Sequence, residues 1–553
     1  MISKRKKVGL FIVLSLAVLG AVVFAVVFFK PASESNLPAV KEGSELYLVV
    51  TRKCFENKLA DWQAERIKDG FDVVIRSWWM APSPEKITKW IKKQIETTGK
   101  PCRYILIVGD CADDADLNAR WHIPSVTYKV DFGRTLIESS SDCLYGDING
   151  DGCPDAAVGR LAVRDAEQLG VQIAKILNHE NRKLHPSWFR TIIWAGAKNY
   201  GSEMRYVSTF LVKLLPKWMD RFFMCTDVSS AYSGHLLEQP EVFIKEMSRP
   251  ACLSIVSSHA SLGGVCAGTY EGKEIILGPG DAARIESQEP SGLLVLLGSD
   301  SNDFDKAQST ELSLAKSFAL HPGGPIAVLA SKKATNALTN YFIARAMIHH
   351  IGRLPERVGD LVLGLQRLFF SEGQKSLSKL SEGDEPAQLL IGAMPANKRS
   401  SLFMRALARY EMLMYNLIGD PSCKLKLPGQ LAMSVMASEK GELIVNGETE
   451  TNCGELFVEM IKAGREKDIV KAGRSEQEQK ECFEKLNEPP ETMLNQPLSD
   501  KKWKVNFFVP TEYFGNKDYL RFISIGGERS YIGLHGVDRE KPFADRYRQQ
   551  ETE

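Results

Sequence analysis

Gly292-Leu-Leu-Val-Leu-Leu-Gly-Ser299-Asp-Ser-Asn-Asp-Phe304 is the stretch on which the fold turns. Its apolar residues are consecutive rather than alternating, and a turn of small residues follows them. That pattern belongs to a short strand covered on both faces, as in a parallel sheet wrapped by helices. About forty residues earlier Leu253-Ser-Ile-Val-Ser-Ser-His259-Ala-Ser has the same form and ends in a histidine. In wound sheets the chemistry gathers where strands end at their carboxyl side. His259 and Ser299 are therefore expected side by side.

Outward from this pair, strands and helices alternate. Leu46–Thr51, Asp72–Arg76, Tyr104–Asp110, Thr191–Ala197 and Ile326–Ser331 read as further strands. Leu59–Asp69, Ala166–Asn181, Glu311–Ala319 and Asn340–Ile351 read as helices, as does Pro84–Thr97, where Ile87, Trp90, Ile91 and Ile95 keep helical spacing. The expected class is α/β, a mostly parallel sheet with helices on both faces, over residues 46–427. Within it, Gly373–Ser400 is polar and reads as an excursion or lid. Beyond Leu427 the pattern changes to short alternating runs, such as Glu455–Ile461 and Trp503–Val509. These predict a small β-sandwich over 428–553, interrupted by a charged surface loop at 464–502.

The chain has 553 residues, 44% hydrophobic and 25% charged, enough for two or three domains. Seventy basic against 69 acidic residues leave a net charge of +1, with no polycationic surface for nucleic acid. Lys4-Arg5-Lys6-Lys7 precedes an uncharged apolar run from Val8 to Phe29. That run matches the roughly 20 residues of a membrane span. Residues 1–30 read as a cytoplasmic basic tip with a signal anchor, the alternative being a long cleaved signal peptide. Residues 31–45 read as a tether, and the bulk of the chain as extracytoplasmic.

Two constellations carry chemistry. His259 and Ser299 supply a base and a hydroxyl on adjoining turns, the minimum for nucleophilic catalysis. Asp147-Ile-Asn149-Gly-Asp151-Gly-Cys153-Pro-Asp155 has oxygen donors spaced like the start of a calcium loop, with the Cys153 carbonyl among them. A bidentate acid is missing where Val158 stands, so Asp142 or a water is needed to complete a structural Ca2+ site. The alternative is a polar turn closed by its own hydrogen bonds. Eleven cysteines form no Cys-x-x-Cys pair. Cys266, in a glycine-rich stretch after His259, and Cys252 read as occupying no strand end that faces the histidine.

From Tyr104 to Leu427 the chain resembles the gingipain-like cysteine peptidases, which have a caspase-type fold. The resemblance rests on Tyr104-Ile-Leu-Ile-Val-Gly109-Asp110, Asp142 through Arg160, Ile193-Trp-Ala-Gly196-Ala197, the two strand ends above, and Leu417-Ile-Gly419-Asp420-Pro421. It implies endopeptidase chemistry on protein or peptide substrates and an appended immunoglobulin-like module. It places the family's base on His259 and its nucleophilic cysteine on Ser299. The oxyanion donors fall on the backbone N–H groups of Ala260 and Ser299. A thiol is readily ionised beside an imidazole, whereas a hydroxyl needs its proton taken during attack. The expectation is thus a weakly active or inactive peptidase homologue, the alternative a non-catalytic binding or scaffold protein of the cell envelope.

Overall fold

The computed structural model describes residues 43–536, apart from 112–116, 132–135, 197–208, 228, 235, 262–263, 288, 302–311, 373–383, 395–400, 438–441, 450–453, 463–474, 510–517 and 527–528. The basic tip, the apolar run 8–29 and most of the tether lie outside the described residues. Among those described, no helix is long and apolar enough to cross a membrane.

Strands of the first part are Leu46–Arg52 (β1), Asp72–Trp78 (β2), Cys102–Val108 (β3), Val126–Asp131 (β4), Leu136–Ser141 (β5), Ala157–Leu161 (β6), Arg190–Ala195 (β7), Asp220–Cys225 (β8), Leu253–Ser257 (β9), His259–Ser261 (β10), Gly264–Tyr270 (β11), Lys273–Leu277 (β12), Leu293–Leu297 (β13), Ala327–Ser331 (β14) and Tyr415–Gly419 (β15). Ten of them build one sheet in the order β2-β1-β3-β6-β15-β14-β13-β9-β7-β8. Neighbours from β14 to β8 are parallel, as are β2, β1, β3 and β6, while β15 runs antiparallel to β14. The expected α/β architecture is thus present.

The continuous apolar runs have a simple cause. Leu293, Val295 and Leu297 of β13 enter one core, and Leu294 and Leu296 enter another on the opposite face. Each such side chain contributes about 1.5–3 kcal/mol by leaving water. The Gly419-Asp420-Pro421 ending is also explained. Asp420, fully buried, accepts from Tyr47 Oη (2.5 Å), Trp62 Nε1 (2.6 Å), Arg66 Nη2 (2.9 Å) and the Ser422 N–H (2.8 Å). A Cβ on Gly159 of β6 would lie 2.3 Å from the Gly419 carbonyl, so only glycine lets β6 approach β15 there.

Residues 429–536 form two packed sheets. Gly429–Gln430 (β16), Ala432–Ala437 (β17), Glu442–Glu448 (β18), Gly454–Ile461 (β19), Glu491–Leu498 (β20), Lys502–Phe508 (β21), Tyr519–Gly526 (β22) and Arg529–Gly536 (β23) pair as β16-β23-β22-β19-β20 and β17-β18-β21. Val445 and Phe507 from one sheet meet Val458 and Phe522 from the other in a common core.

Two segments differ from expectation. Within 464–502, the described part from Ser475 onward is folded rather than a surface loop. Ser475 and Glu478 close a capping box that starts the helix Glu476–Leu486, and β20 follows. That helix is retained because it covers the sheet edge. Asn487 Oδ1 accepts from the Phe223 N–H (2.7 Å), and Asn487 Nδ2 donates to the Phe223 carbonyl (2.9 Å), completing the ladder of β8. The excursion 373–400 contains the helix Glu385–Ala393, whose N-cap Asp384 accepts from Tyr341 Oη (3.0 Å) and pairs with Arg345. Its described part is therefore tied to the helix Ala337–Gly352.

Candidate active site

β9 and β13 are neighbours, with Ser257 opposite Leu297, so their ends leave the sheet together. The Ser258 N–H donates to the Leu297 carbonyl (3.0 Å), extending the contact one residue further. The chain then enters β10, where His259 and Ser261 are exposed and Ala260 is half-buried. A Cβ on Gly298 would lie 2.8 Å from both the Ala260 Cβ and the Ser258 carbonyl. Glycine at 298 thus lets the two turns close on each other. His259, Ala260 and Ser299, the expected base, oxyanion donor and hydroxyl, fall in one cluster at the carboxyl end of the sheet.

The turn after Ser299 is tightly held. Asp300 takes a positive φ of 53°, tolerable for aspartate, and its N–H donates to the Lys333 carbonyl (3.2 Å). Ser301 Oγ donates to the Gly298 carbonyl at 3.3 Å. Ser299 Oγ accepts from the Thr335 N–H at 3.2 Å. Thr335 follows β14, which flanks β13 on the side away from β9. The hydroxyl oxygen is therefore drawn toward β14.

Thr335 is itself positioned. Asn340 Nδ2 donates to Thr335 Oγ1 (3.0 Å), and Tyr415 Oη donates to Asn340 Oδ1 (2.7 Å). Asn336 caps the helix Ala337–Gly352, and the buried Glu411 faces the Asn336 N–H and the Thr339 hydroxyl. Burial pushes the Glu411 carboxyl up to about 8, opposed only by those two hydrogen bonds. Sequence reading missed Thr335 and Glu411, because a backbone donor and a buried acid on a distant helix leave no local motif.

β10 and β11 form a hairpin in which His259 stands directly opposite Cys266. Cys266 lies within β11 rather than at a strand end, and its Sγ donates to the Gly268 carbonyl at 3.8 Å. The register also pairs Ala260 with Val265 and Ser261 with Gly264. Cys252 is buried at the start of β9, where the sequence placed it, and burial raises its thiol to about 12.

In the acidic loop, Asp147 accepts from the Gly150 (2.8 Å) and Gly152 (2.9 Å) N–H groups. Asp151 accepts from the Cys153 N–H (2.7 Å), and Asp155 from the Ile148 N–H (2.9 Å). The donor types suit a hard cation. No group of three or more histidine, cysteine or acidic side chains converges as a metal site among the described residues. Asp142 is not available as the missing ligand. Arg160 holds it from Nε (2.6 Å) and Nη2 (2.7 Å) in a buried pair, and Ser125 Oγ donates to it (2.6 Å).

Comparison with solved structures shows where this fold has been seen. The structure of the Arg-specific cysteine proteinase gingipain R (RgpB) matches with a TM-score of 0.52 and 13% identity, covering 91% of this chain and 99% of that one. A structure described only as a protease matches with a TM-score of 0.50 and 13% identity, covering 89% and 97%. The complex of Porphyromonas gingivalis RgpB pro- and mature domains reaches a TM-score of 0.48 at 13% identity, covering 89% and 100%. At this identity the likeness is one of fold. No curated protein matches. The family model of peptidase family C25 matches residues 41–426, most of the chain and nearly all of the α/β part. The chain belongs to peptidase family C25.

Proposed function

We propose that this protein is a membrane-anchored C25 peptidase homologue whose cleft faces proteins or peptides outside the cytoplasm, with little or no peptidase activity through Ser299. His259 is the base, Ser299 stands in the nucleophile position, and the N–H groups of Ala260 and Ser299 face the developing oxyanion. The observation that carries the reading is the Ser299–Thr335 hydrogen bond. Attack requires Ser299 to pass its proton to His259, bond its oxygen to the substrate carbon, and push the carbonyl electrons onto oxygen. An oxygen held toward β14 must first leave the Thr335 N–H. Misplacement of this kind costs on the order of 10²-fold in rate. The same observation favours the second reading, a cleft that binds extended segments without cutting them. The C-terminal sheets are read as an immunoglobulin-like module, and the acidic loop as a structural calcium site completed by water. No catalytic step passes through the ion.

The test is a broad peptide library incubated with the chain from about Ser33 onward, beside His259→Ala and Ser299→Ala. No cleavage, or cleavage that survives Ser299→Ala, is expected. Cleavage lost in both variants refutes inactivity through Ser299.

A further inference from the structure

We infer that the reactive group of this cleft is the Cys266 thiol, activated by His259. The inference rests on His259 being the base of the site, and adds a nucleophile that neither the family match nor the Ser299 position supplies.

The argument starts from register. Directly opposed residues of an antiparallel pair project to the same face, with Cβ atoms about 4.5–5.5 Å apart. His259 and Cys266 are such a pair. The Cys266 thiol makes a long contact to the Gly268 carbonyl at 3.8 Å, and rotation about χ1 brings it from there toward an imidazole on the adjoining Cβ. On β10 the inward position is Ala260, packed against Gly298, so His259 and Cys266 share the outward face. Cys266 is partly exposed there, whereas Cys102, Cys111, Cys143, Cys225, Cys252 and Cys423 are buried.

The backbone that carries the thiol is fixed from both sides. Ser258 Oγ donates to the Cys266 carbonyl at 2.9 Å, and Thr226 Oγ1 donates to the Ala267 carbonyl at 2.8 Å. The pairing of β11 with β12 shifts between Cys266 and Gly268, a bulge at Ala267. Bulges of this kind re-aim side chains beside functional sites. Cys266 is opposite Ile276 on β12, which is 41% exposed. The row His259, Cys266, Ile276 thus puts a base, a thiol and an apolar contact across one small sheet, one turn from Ser299.

The step is the ordinary one for a thiol. The Cys266 S–H proton passes to His259, sulfur bonds to an electrophilic carbon, and for a peptide the carbonyl electron pair moves to oxygen. The C–N bond then breaks, the amine takes the proton from His259, and water hydrolyses the thioester.

The experiment is alkylation of the chain from about Ser33 by iodoacetamide at pH 7, with each cysteine followed by peptide mass mapping. The side-chain pairing predicts that Cys266 reacts faster than the more exposed Cys54. It also predicts a drop of about tenfold in the Cys266 rate in His259→Ala, and none in Cys54→Ala. A Cys266 rate no higher than that of Cys54, or unchanged by His259→Ala, overturns the inference. The peptide library separates this from the functional reading. Cleavage lost in both Cys266→Ala and His259→Ala but kept in Cys54→Ala supports the reactive thiol and the peptide-binding cleft together. Histidine-dependent alkylation with no cleavage upholds the reactive thiol and favours the non-cutting cleft.

Discussion

Glu411→Gln isolates the buried acid that faces the Asn336 N–H, one residue beyond Thr335. Glu411 is buried at the N-terminus of the helix Ala337–Gly352, faces the Asn336 N–H and the Thr339 hydroxyl, and leaves Oε2 without a hydrogen-bond partner. Its carboxyl is raised from 4.5 to about 8 by burial. A carboxyl whose folded pKa is raised is bound to its proton more tightly in the native state. Its contribution is complete below about 4.5 and is lost as pH rises through about 8. Each unit is worth about 1.4 kcal/mol, so the full span is on the order of 5 kcal/mol as an upper bound, and about half that once local relaxation admits water. Glutamine keeps the shape and both acceptor contacts without the charge. Urea unfolding of wild type and Glu411→Gln at steps between pH 5 and 9 measures the difference directly. Wild type is expected to lose stability relative to the variant as pH rises, by about 1 kcal/mol per unit through the middle of the window. Parallel stability curves refute the reasoning, because they mean that Glu411 is ionised or solvated in the folded protein.

Other outcomes follow from single contacts. Asp420→Ala removes the acceptor shared by Tyr47, Trp62 and Arg66, and should cost about 3–5 kcal/mol in thermal or urea unfolding, as expected for breaking a buried ion pair. Asn487→Ala strips both ladder bonds from Phe223 and should cost about 1–3 kcal/mol per orphaned group. It should also raise light scattering on heating, since it bares the edge of β8. Millimolar calcium should raise the midpoint of thermal unfolding, and Asp151→Ala should abolish that shift. An unchanged midpoint assigns the loop to its own backbone hydrogen bonds.

The α/β part was legible in sequence because burial on both faces writes itself as unbroken apolar runs. β9, β13 and β14 all show it, and their order placed His259 near Ser299. The sandwich was legible from alternation, as in Lys502–Phe508, where every second residue is buried. Less legible were elements stabilised by partners far along the chain. β8 gained its edge partner from Asn487, and a charged stretch hid the helix that delivers it. The site divided the same way. Apolar runs put residues 259 and 299 after neighbouring strands, as β9 and β13 have them, but the direction of the Ser299 hydroxyl depends on a backbone N–H after another strand. The His259–Cys266 register belongs to a hairpin, which a reading of parallel strand ends does not address.

Ser299→Cys tests the central claim most directly, since it returns a thiol to the position where the family resemblance expects one. Cleavage of the peptide library should rise on the order of a hundredfold over wild type and vanish again when His259→Ala is added. Wild-type cleavage that matches or exceeds the variant, and disappears in Ser299→Ala, contradicts the account.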